Sequence, residues 1–315
     1  MFSSDGMVLL KTCPEDFIVE ELIDVPKGSG QFHYYWLHKR NMTTLAALKI
    51  ISRKTGVSLS KIGYAGNKDK VALTTQLISM PKRISDFSER SLSVVYAGQG
   101  DDRITLGDNR GNHFVIVVRG IIKRPSHREE FINFFGKQRF GGSNAAIGHA
   151  LVRGDFREAA RLASEQGSTT VREHLAHHPS DVIGALRTIP RRLLMLFVHA
   201  FQSLLWNESV RRHIAAGSRP QTVPLVGFGT EDIDEITQHV LNEFNVAPRD
   251  FIIRSLPGMS SEGTTRTVFA RCENLVLGQL VTDEVSEKMK MEISFDLGPG
   301  SYATVFVEQL FADAQ

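Results

Sequence analysis

Two lysines flank a single carboxylate in a short glycine-bounded segment, and this arrangement suits nucleophilic chemistry. The segment is GYAGNKDKVALTTQ at 63–76, in which Asp69 lies between Lys68 and Lys70. A nucleophilic aspartate must be ionised, and neighbouring positive charge favours that state. The two glycines allow a tight turn that a bulky planar substrate can approach closely. Asp69 is therefore the candidate nucleophile, although on spacing alone a Lys-Asp-Lys turn is more often a solvated hairpin tip.

The composition describes an ordered globular protein. The 315 residues are 42% hydrophobic and 23% charged, with 11 Pro, enough apolar material for one large or two ordinary domains. No apolar run reaches the roughly 18 residues of a membrane span, and the N-terminus lacks the pattern of a secretion signal. We therefore expect a cytoplasmic protein that has no contact with a membrane.

The residue types that hold metals and cofactors are not grouped in this sequence. Cys13 and Cys272 are far apart and have no partner at metal spacing, so neither a disulfide framework nor a zinc site is indicated. A phosphate-binding loop and a dinucleotide fingerprint are also absent from the sequence. His174, His177 and His178 have helical spacing but are interpreted as a solvated helix. We expect no metal and no cofactor.

The distribution of charge leaves nucleic-acid binding open. The formal net charge is only +2, but nucleic-acid binders often have a basic face and not a basic total. Two clusters of basic residues occur. For each cluster a solvated face is the preferred interpretation, and a set of phosphate contacts is the alternative. The clusters are Arg119, Lys123, Arg124, Arg128, Lys137 and Arg139, and then Arg187, Arg191, Arg192, Arg211 and Arg212.

Hydrophobic periodicity divides the chain into strand-rich and helix-rich parts. Alternating patterns predict strands, and apolar residues at helical spacing predict helices; the helix at 41–56 has Asn41 or Thr43 as N-cap and Gly56 at its end. The predicted strands are 17–22, 32–37, 71–78, two within 103–120, and 289–297. The predicted helices are 41–56, 127–142, 144–167, 191–217, 230–246, and 302–311 with Ser301 as its cap.

The order of strands, helical block and strands predicts an α+β fold with an inserted domain. The outer domain would span 1–145 and 270–315 and contain a mixed, mainly antiparallel sheet with flanking helices. The insertion at 146–269 would be a largely helical α/β domain. Trp36 and Trp206 lie among apolar neighbours and are expected in the core.

Phenylalanines beside polar turn residues suggest a pocket for an unstacked base. Phe17 follows Pro-Glu-Asp, Phe114 comes two residues after Gly-Asn, and Phe135 lies in NFFGKQRFGG at 133–142. A flipped or single-stranded base needs aromatic stacking on its faces and amide hydrogen bonds at its edge. Each phenylalanine taken alone is more often a core residue, so the argument depends on their number.

Five motifs in order give the chain a resemblance to the TruD family of pseudouridine synthases. Between 150 and 290 the likeness is thinner, and it is limited mainly to 201–208 and 256–258. The motifs are PEDFIVEE at 14–21, GYAGNKDKVALTTQ at 63–76, LGDNRGNHF at 106–114, NFFGKQRFGG at 133–142 and LGPGSYATVFVEQL at 297–310.

The resemblance implies isomerisation of a uridine in RNA to pseudouridine, most often uridine 13 of transfer RNA, without a cofactor. It implies that Asp69 is the catalytic aspartate, acting on the base or the ribose carbon, and that Lys68 pairs with it. It further implies that Phe17 and Phe114 stack on or wedge beside the flipped uracil, while Asn112 orients the site. Further substrate-binding residues expected from the matching motifs are Gln76, Asn133, Phe135 and Arg139.

The sequence departs from the family pattern in two features, and the second of them, the length of the insertion, leaves the choice of RNA open. Phe134 stands where the family often has Tyr, and the insertion is short beside many relatives. One alternative is a synthase that acts chiefly on another RNA, and a second is a non-catalytic RNA-binding or RNA-folding protein on the same scaffold. The second is opposed by the presence of four residues: Asp69, Lys68, Asn112 and Phe114. The expected partner is transfer RNA, bound by a monomer.

Overall fold

The computed structural model describes residues 8–285 and 288–314. Two compact units divide the chain: Met1–Phe131 with Arg271–Gln315, and Ile132–Ala270. The segment 146–269, for which we predict an insertion, lies within the second unit. Residues 1–7, which carry part of the expectation about a secretion signal, lie outside the described residues. Across the described ranges, no helix is both long and apolar enough to cross a membrane.

The secondary structure consists of the following strands and helices in chain order. The strands are β1 (Phe17–Leu22), β2 (Phe32–Arg40), β3 (Gly63–Tyr64), β4 (Leu73–Met80), β5 (Phe87–Glu89), β6 (Leu92–Gly100), β7 (Gly111–Ile121), β8 (Glu130–Ile132), β9 (Thr222–Leu225), β10 (Thr264–Thr267), β11 (Phe269–Leu277), β12 (Val281–Thr282) and β13 (Met289–Leu297). The helices are α1 (Thr44–Thr55), α2 (Asn144–Val152), α3 (Phe156–Glu165), α4 (Thr169–His177), α5 (Val182–Arg187), α6 (Arg191–Ala215), α7 (Glu235–Glu243) and α8 (Ala303–Leu310).

The first unit is built on a mixed sheet with the strand order β5-β6-β2-β4-β1-β7-β13-β11-β8, to which β3 and β12 add on β4 and β13. Strands β1 and β4 run parallel, whereas β1–β7, β2–β4 and β7–β13 are antiparallel. Val19, Phe114 and Phe295 are opposite one another on adjacent strands. The expected α+β architecture with a mixed, mainly antiparallel sheet is therefore confirmed.

Helix α1 begins and ends where its sequence signals predict. The Thr43 hydroxyl accepts a hydrogen bond from the Ala46 N–H, and Gly56 ends the helix at φ +73°, a conformation that glycine adopts without a Cβ penalty. Leu48 and Ile51 are buried against the sheet together with Tyr35. The N-terminus of this helix is thereby fixed at the end of β2.

The prediction of a helix at 127–142 is wrong. This segment contains the short strand β8 and a single turn of 3₁₀-helix at Lys137–Phe140. Phe131 on β8 is buried and its ring lies 5.2 Å from that of Phe306. Tertiary packing and pairing with β11 override the local pattern here, and Gly136 and Gly141 add a further penalty against a continuous helix.

Two other helix predictions need adjustment. The segment 144–167 forms two helices, because Gly154 at φ +74° ends the first and the Asp155 side chain caps the second by accepting from the Glu158 N–H. The final helix α8 begins after Tyr302 without a side-chain cap, so Ser301 does not have the predicted role. Local chemistry identified the helices but not all of their ends.

The second unit packs its helices around α6, which is buried on several faces. A Cβ on Gly148 of α2 would lie 2.0 Å from the Phe197 carbonyl oxygen, so only glycine permits this close approach of α2 to α6. Trp206 is 1% exposed, and its indole N–H donates to the Val223 carbonyl at 3.1 Å. The expected core position of Trp206 is confirmed.

Candidate active site

Asp69 lies in the loop that joins β3 to β4, with 31% of its side chain exposed. One carboxylate oxygen is 3.1 Å from the Lys11 ammonium. Lys11 has φ +60°, a left-handed conformation that disfavours residues other than glycine by about 1–2 kcal/mol. The carboxylate is therefore both accessible to a substrate and charge-compensated, and the Lys11 backbone is strained where it supplies that charge.

Lys11 also connects the carboxylate to the aromatic residues of the sheet. Its ammonium lies 4.1 Å from the centroid of the Phe17 ring, within the range of a cation–π interaction. The Phe17 ring in turn meets the Phe114 ring edge-on at 6.0 Å. Sequence reasoning did not single out Lys11, although its position three residues before PEDF could have suggested it.

The loop that carries Asp69 is held by a chain of buried hydrogen bonds. The Thr44 hydroxyl accepts from the Lys68 main-chain N–H at 2.9 Å and donates to the Gln76 side-chain oxygen at 2.9 Å. The Gln76 amide donates to the Gly66 carbonyl at 3.1 Å. Gln76 is 0% exposed, so in this structure its amide holds the loop, while substrate binding by Gln76 remains a prediction.

Lys68 is paired with Glu21 and not, as expected, with Asp69. Its ammonium donates to one Glu21 carboxylate oxygen, and the other Glu21 oxygen accepts from the Leu77 N–H at 3.0 Å. The side chains are 5% and 0% exposed. Because Lys68 and Asp69 are consecutive in an extended loop, the two side chains point to opposite sides. The Lys68 side chain points inward and pairs with Glu21, and the Asp69 carboxylate pairs with Lys11.

A second buried lysine reaches the Asp69 main chain. The Lys39 ammonium on β2 donates to the Asp69 carbonyl at 2.7 Å, and Lys39 is 3% exposed. Burial lowers the pKa of Lys39 from 10.5 to about 8; the Asp69 carboxylate opposes this shift and Lys68 adds to it. The Lys39 amine therefore changes charge at about pH 8.

The predicted aromatic residues of the first unit, Phe17 and Phe114, are buried side chains of the sheet. Phe17 and Phe114 are 1% and 6% exposed, and Phe114 stacks on Phe295 at 5.4 Å. Asn112, two residues before Phe114 on β7, has a buried side-chain oxygen with no hydrogen-bond partner within the described part of the chain. Buried amide oxygens are normally paired, so this one is an acceptor available to a ligand.

The start of β1 is fixed by a buried ionic network around Arg119. Its guanidinium donates to both carboxylate oxygens of Asp16 at 2.9 and 3.0 Å and to Asp283 and Glu284. Arg119 is 5% exposed, so its inclusion in a solvated or phosphate-binding cluster was wrong. The network positions the residue directly before Phe17.

The three remaining predicted residues belong to the second unit. The Asn133 side-chain oxygen accepts from Arg266 at 2.7 Å. Phe135 exchanges two hydrogen bonds with the Asn207 side chain, at 2.9 and 3.0 Å. Arg139 donates to the Ser203 hydroxyl at 3.2 Å and lies 5.7 Å from the Phe135 centroid. These contacts organise the segment itself, and substrate binding by these residues remains a prediction.

The arrangement in the first unit brings six of the predicted residues into one network of contacts. Asp69 joins Phe17 and Phe114 through Lys11, while Lys68 and Gln76 meet at Thr44; Asn112 lies opposite Glu21 on the adjacent strand. Four contributors are missing from the sequence prediction: Lys11, Glu21, Lys39 and Thr44. Such a site offers one partly exposed carboxylate beside an ammonium, which suits nucleophilic attack on an electrophilic carbon.

The histidines of α4 were the other candidate for ligand chemistry. His174 forms a 2.8 Å pair with the Asp181 carboxylate, and its ring lies 5.2 Å from that of His178. In the residues that the structure describes, no group of three or more His, Cys, Asp or Glu has an arrangement able to hold a metal ion.

Comparisons with known proteins agree with the motifs. A sequence profile of "tRNA pseudouridine synthase D (TruD)" matches residues 3–173, 164–224 and 208–310. The chain is 28% identical to a probable tRNA pseudouridine synthase D 2 of Methanocaldococcus jannaschii, over 96% of this chain and 91% of that protein. It is 27% identical to the tRNA pseudouridine synthase D of Aquifex aeolicus, over 96% and 98%.

A solved structure has the same fold. The crystal structure of a putative tRNA pseudouridine synthase D from Methanosarcina mazei superposes with a TM-score of 0.73 at 27% identity, and the match covers 96% of this chain and 93% of that one. The profile, the relatives and the fold thus agree over nearly the full length. The chain belongs to the TruD family of tRNA pseudouridine synthases.

Proposed function

We propose that this protein isomerises uridine 13 of transfer RNA to pseudouridine, with the Asp69 carboxylate as the catalytic group. The single observation that carries the proposal is the partly exposed carboxylate on an anchored loop, 3.1 Å from the Lys11 ammonium. Family membership supplies the reaction class, and the choice of uridine 13 follows from the resemblance of the motifs.

The reaction rearranges one nucleoside and exchanges nothing with a cofactor. The N1–C1′ bond breaks, the freed uracil rotates, and a C5–C1′ bond forms. The proton on C5 is then lost and N1 gains one, so atoms and charge balance. The Asp69 carboxylate serves either as nucleophile at the ribose C1′ or as nucleophile on the uracil ring, and both routes need it ionised.

Neighbouring groups have defined tasks in this proposal. Lys11 compensates the charge of Asp69 before and after attack. The free side-chain oxygen of Asn112 accepts a hydrogen bond from the uracil edge, as an amide does when it reads a flipped base. Phe17 and Phe114 form the apolar support below the base. Gln76, through Thr44, keeps the loop in place.

The second unit is proposed to hold the RNA outside the reacting nucleotide. The candidate contacts are Asn133, Phe135 and Arg139, and we retain 146–269 as the proposed limits of the insertion domain. We also propose that the protein acts as a cytoplasmic monomer, because its substrate is a free transfer RNA. Light scattering with and without transfer RNA tests the stoichiometry, and cell fractionation tests the location.

The test of the function is a mapping experiment on unmodified RNA. The purified protein is incubated, without metal or nucleotide, with a transfer RNA transcript that contains uridine 13, and pseudouridine is mapped by carbodiimide-blocked reverse transcription. We expect a stop at that position with the wild type and none with Asp69→Asn. Asp232→Asn, an exposed aspartate of the second unit, is the matched control and should keep full activity.

The other outcomes separate the alternatives. A stop only in another RNA would replace uridine 13 as the target while keeping the chemistry. Tight binding with no stop in any cellular RNA would favour a non-catalytic RNA-binding or RNA-folding protein. Appreciable activity of Asp69→Asn would exclude Asp69 as the catalytic group.

A further inference from the structure

Lys39 is buried beside the candidate nucleophile, and no carboxylate of the described residues is bonded directly to its ammonium. Its ammonium is hydrogen-bonded to the main-chain carbonyl of Asp69 at 2.7 Å, and the residue is 3% exposed. Most lysines bury only the aliphatic stem and keep the amine in water. Here the amine itself is buried, and its contact is to the residue that carries the proposed chemistry.

The position of Lys39 in the sheet explains how its side chain reaches the loop. Lys39 is opposite Thr74 on β4, and the loop that carries Asp69 enters the same strand one residue earlier, at Leu73. The Thr74 hydroxyl is buried and has no hydrogen-bond partner within residues 8–285 and 288–314. The ammonium therefore lies in a site with little polar support besides the Asp69 carbonyl.

An ammonium in such surroundings is unfavourable for stability. Burying a charge that is not bonded directly to a counterion destabilises a folded protein, and an apolar side chain of similar length would be tolerated better. Simple packing therefore does not account for a lysine at this position. A reason for the charge must come from what it contacts, and that is the Asp69 main chain.

The charged groups around Lys39 come from three neighbouring segments. The loop contributes the Asp69 carboxylate and the Lys68 ammonium. Lys68 is neutralised by Glu21 of β1, and Asp69 by Lys11 of the segment before β1. Two ammonium groups, Lys11 and Lys39, thus act on one aspartate, the first on its side chain and the second on its main chain.

We propose that Lys39 is a positioning residue of this active site, which fixes the main chain of Asp69 and supplies positive charge beside its carboxylate. The inference rests on the proposed function, since it assigns Lys39 a role only if Asp69 performs the chemistry. Lys39 does not touch the substrate in this scheme. It acts through Asp69, by setting the direction in which the carboxylate projects.

The first test separates catalysis from RNA binding. Under single-turnover conditions with transfer RNA, Lys39→Met should lower the rate constant by about 10²-fold, the typical loss for a nucleophile displaced by about 1 Å, while the Kd for RNA changes less than threefold. Lys39→Arg, which keeps the charge, should recover most of the rate. The matched control is Lys49→Met, which removes an exposed lysine of α1 and should leave the rate unchanged.

The second test is the pH profile, which a purely structural lysine would not change. Burial lowers the pKa of Lys39 to about 8, so wild type loses this charge as pH rises through 8. The wild-type rate constant should fall between pH 7.5 and 9, whereas Lys39→Arg stays charged and should show no such fall. Ionisation of uracil would affect both proteins equally and so cancels in the comparison.

A third measurement needs no substrate and remains valid if Lys39→Met does not fold. In wild type labelled with ¹³C at lysine Cε, the Lys39 resonance should titrate near pH 8. Asp69→Asn should move its midpoint down, because the carboxylate raises this pKa, and Lys68→Met should move it up. A Lys39 resonance that titrates above pH 10 would overturn the inference, as would a Lys39→Met variant with the wild-type rate.

The outcomes also distinguish this inference from the proposed function. If Asp69→Asn is inactive and Lys39→Met is fully active, Asp69 keeps its role and the inference about Lys39 fails. If Asp69→Asn is active, the proposed function fails, and a positioning role for Lys39 fails with it.

Discussion

The Lys68 ammonium and the Glu21 carboxylate form an ion pair inside the first unit, with 5% and 0% of their side chains exposed. The lysine that precedes Asp69 is thus committed to strand β1. This inward contact fixes the loop on one side, and Lys39 and Thr44 fix its main chain from the others. The Asp69 side chain, in contrast, is 31% exposed and remains accessible to a substrate.

The buried pair should be strongly coupled in stability. Lys68→Met leaves the Glu21 carboxylate buried and unpaired, so we expect a loss of about 3–5 kcal/mol in the free energy of unfolding. The double variant Lys68→Met/Glu21→Gln should lose less than the sum of the single changes. Urea denaturation measures the free energy of unfolding of Lys68→Met, Glu21→Gln and the double variant. The control is Lys54→Met, which removes an ion pair with Glu89 in which each side chain is 43% exposed. It should lower the free energy of unfolding by less than about 1 kcal/mol. Additive effects of the changes at Lys68 and Glu21 would contradict the coupling.

The Thr44 hydroxyl should matter for turnover as well as for stability. Thr44→Val removes the acceptor of the Lys68 N–H and the donor to Gln76, which should cost about 1–3 kcal/mol and lower kcat at least tenfold with little change in KM. Thr43→Val is the matched control. It removes the cap of α1 and should cost about 1 kcal/mol without a large effect on kcat. Equal kcat values for the two variants would show that the loop does not depend on Thr44.

The Asp16–Arg119 contact should make stability depend on pH in the acid range. Burial raises the pKa of Asp16, but hydrogen bonds from Arg119 and the Cys13 N–H outweigh it and hold that pKa below 3.8. The ionised carboxylate therefore stabilises the fold above pH 3.8, and this contribution is lost as pH falls further, toward the folded-state pKa. The difference in free energy of unfolding between wild type and Asp16→Asn should be constant above about pH 5 and shrink below pH 3.8.

A control for the acid range is Asp24→Asn. Asp24 pairs with Arg110 on the surface, where the side chains are 84% and 70% exposed, so its removal should have little effect at any pH. A wild-type advantage over Asp16→Asn that persists unchanged to pH 2.5 would refute the assignment.

The two cysteines should differ in reactivity. Burial, with a smaller contribution from Glu129, raises the pKa of Cys272 to about 11, whereas Cys13 is half-buried. Since the thiolate is the reactive form, iodoacetamide at pH 8 should modify Cys13 in the native protein and Cys272 only in urea. Mass spectrometry of peptides reports both sites. Rapid native labelling of Cys272 would mean that β11 opens readily.

Local sequence signals predicted the features that depend on residues close together in the chain, such as helix ends and the candidate nucleophile. Thr43 and Gly56 set the ends of α1, and the flanking lysines drew attention to Asp69. The partners that complete the site could not be predicted in this way, because Glu21 and Lys68 are 47 positions apart and meet only when β1 and β4 pair. Arg119 was placed in a basic cluster for the same reason, since its carboxylate partners are distant in sequence.

The helix predicted at 127–142 was wrong for a related cause. The apolar residues of this segment are compatible with the period of a helix and with that of a strand. Pairing with β11 decides in favour of the strand. β11 begins more than a hundred residues later, so no window around Phe131 contains the deciding information.

The order of strands in the first sheet has a consequence for synthesis on the ribosome. β7 pairs along its length with β13, which begins at Met289, so one edge of β7 has no partner until almost the whole chain has been translated. At typical elongation rates this interval lasts roughly 10–30 s, long enough for the second unit to fold first. During that time β7, with its run of valines and isoleucines, presents an open edge of the kind that pairs readily with other chains.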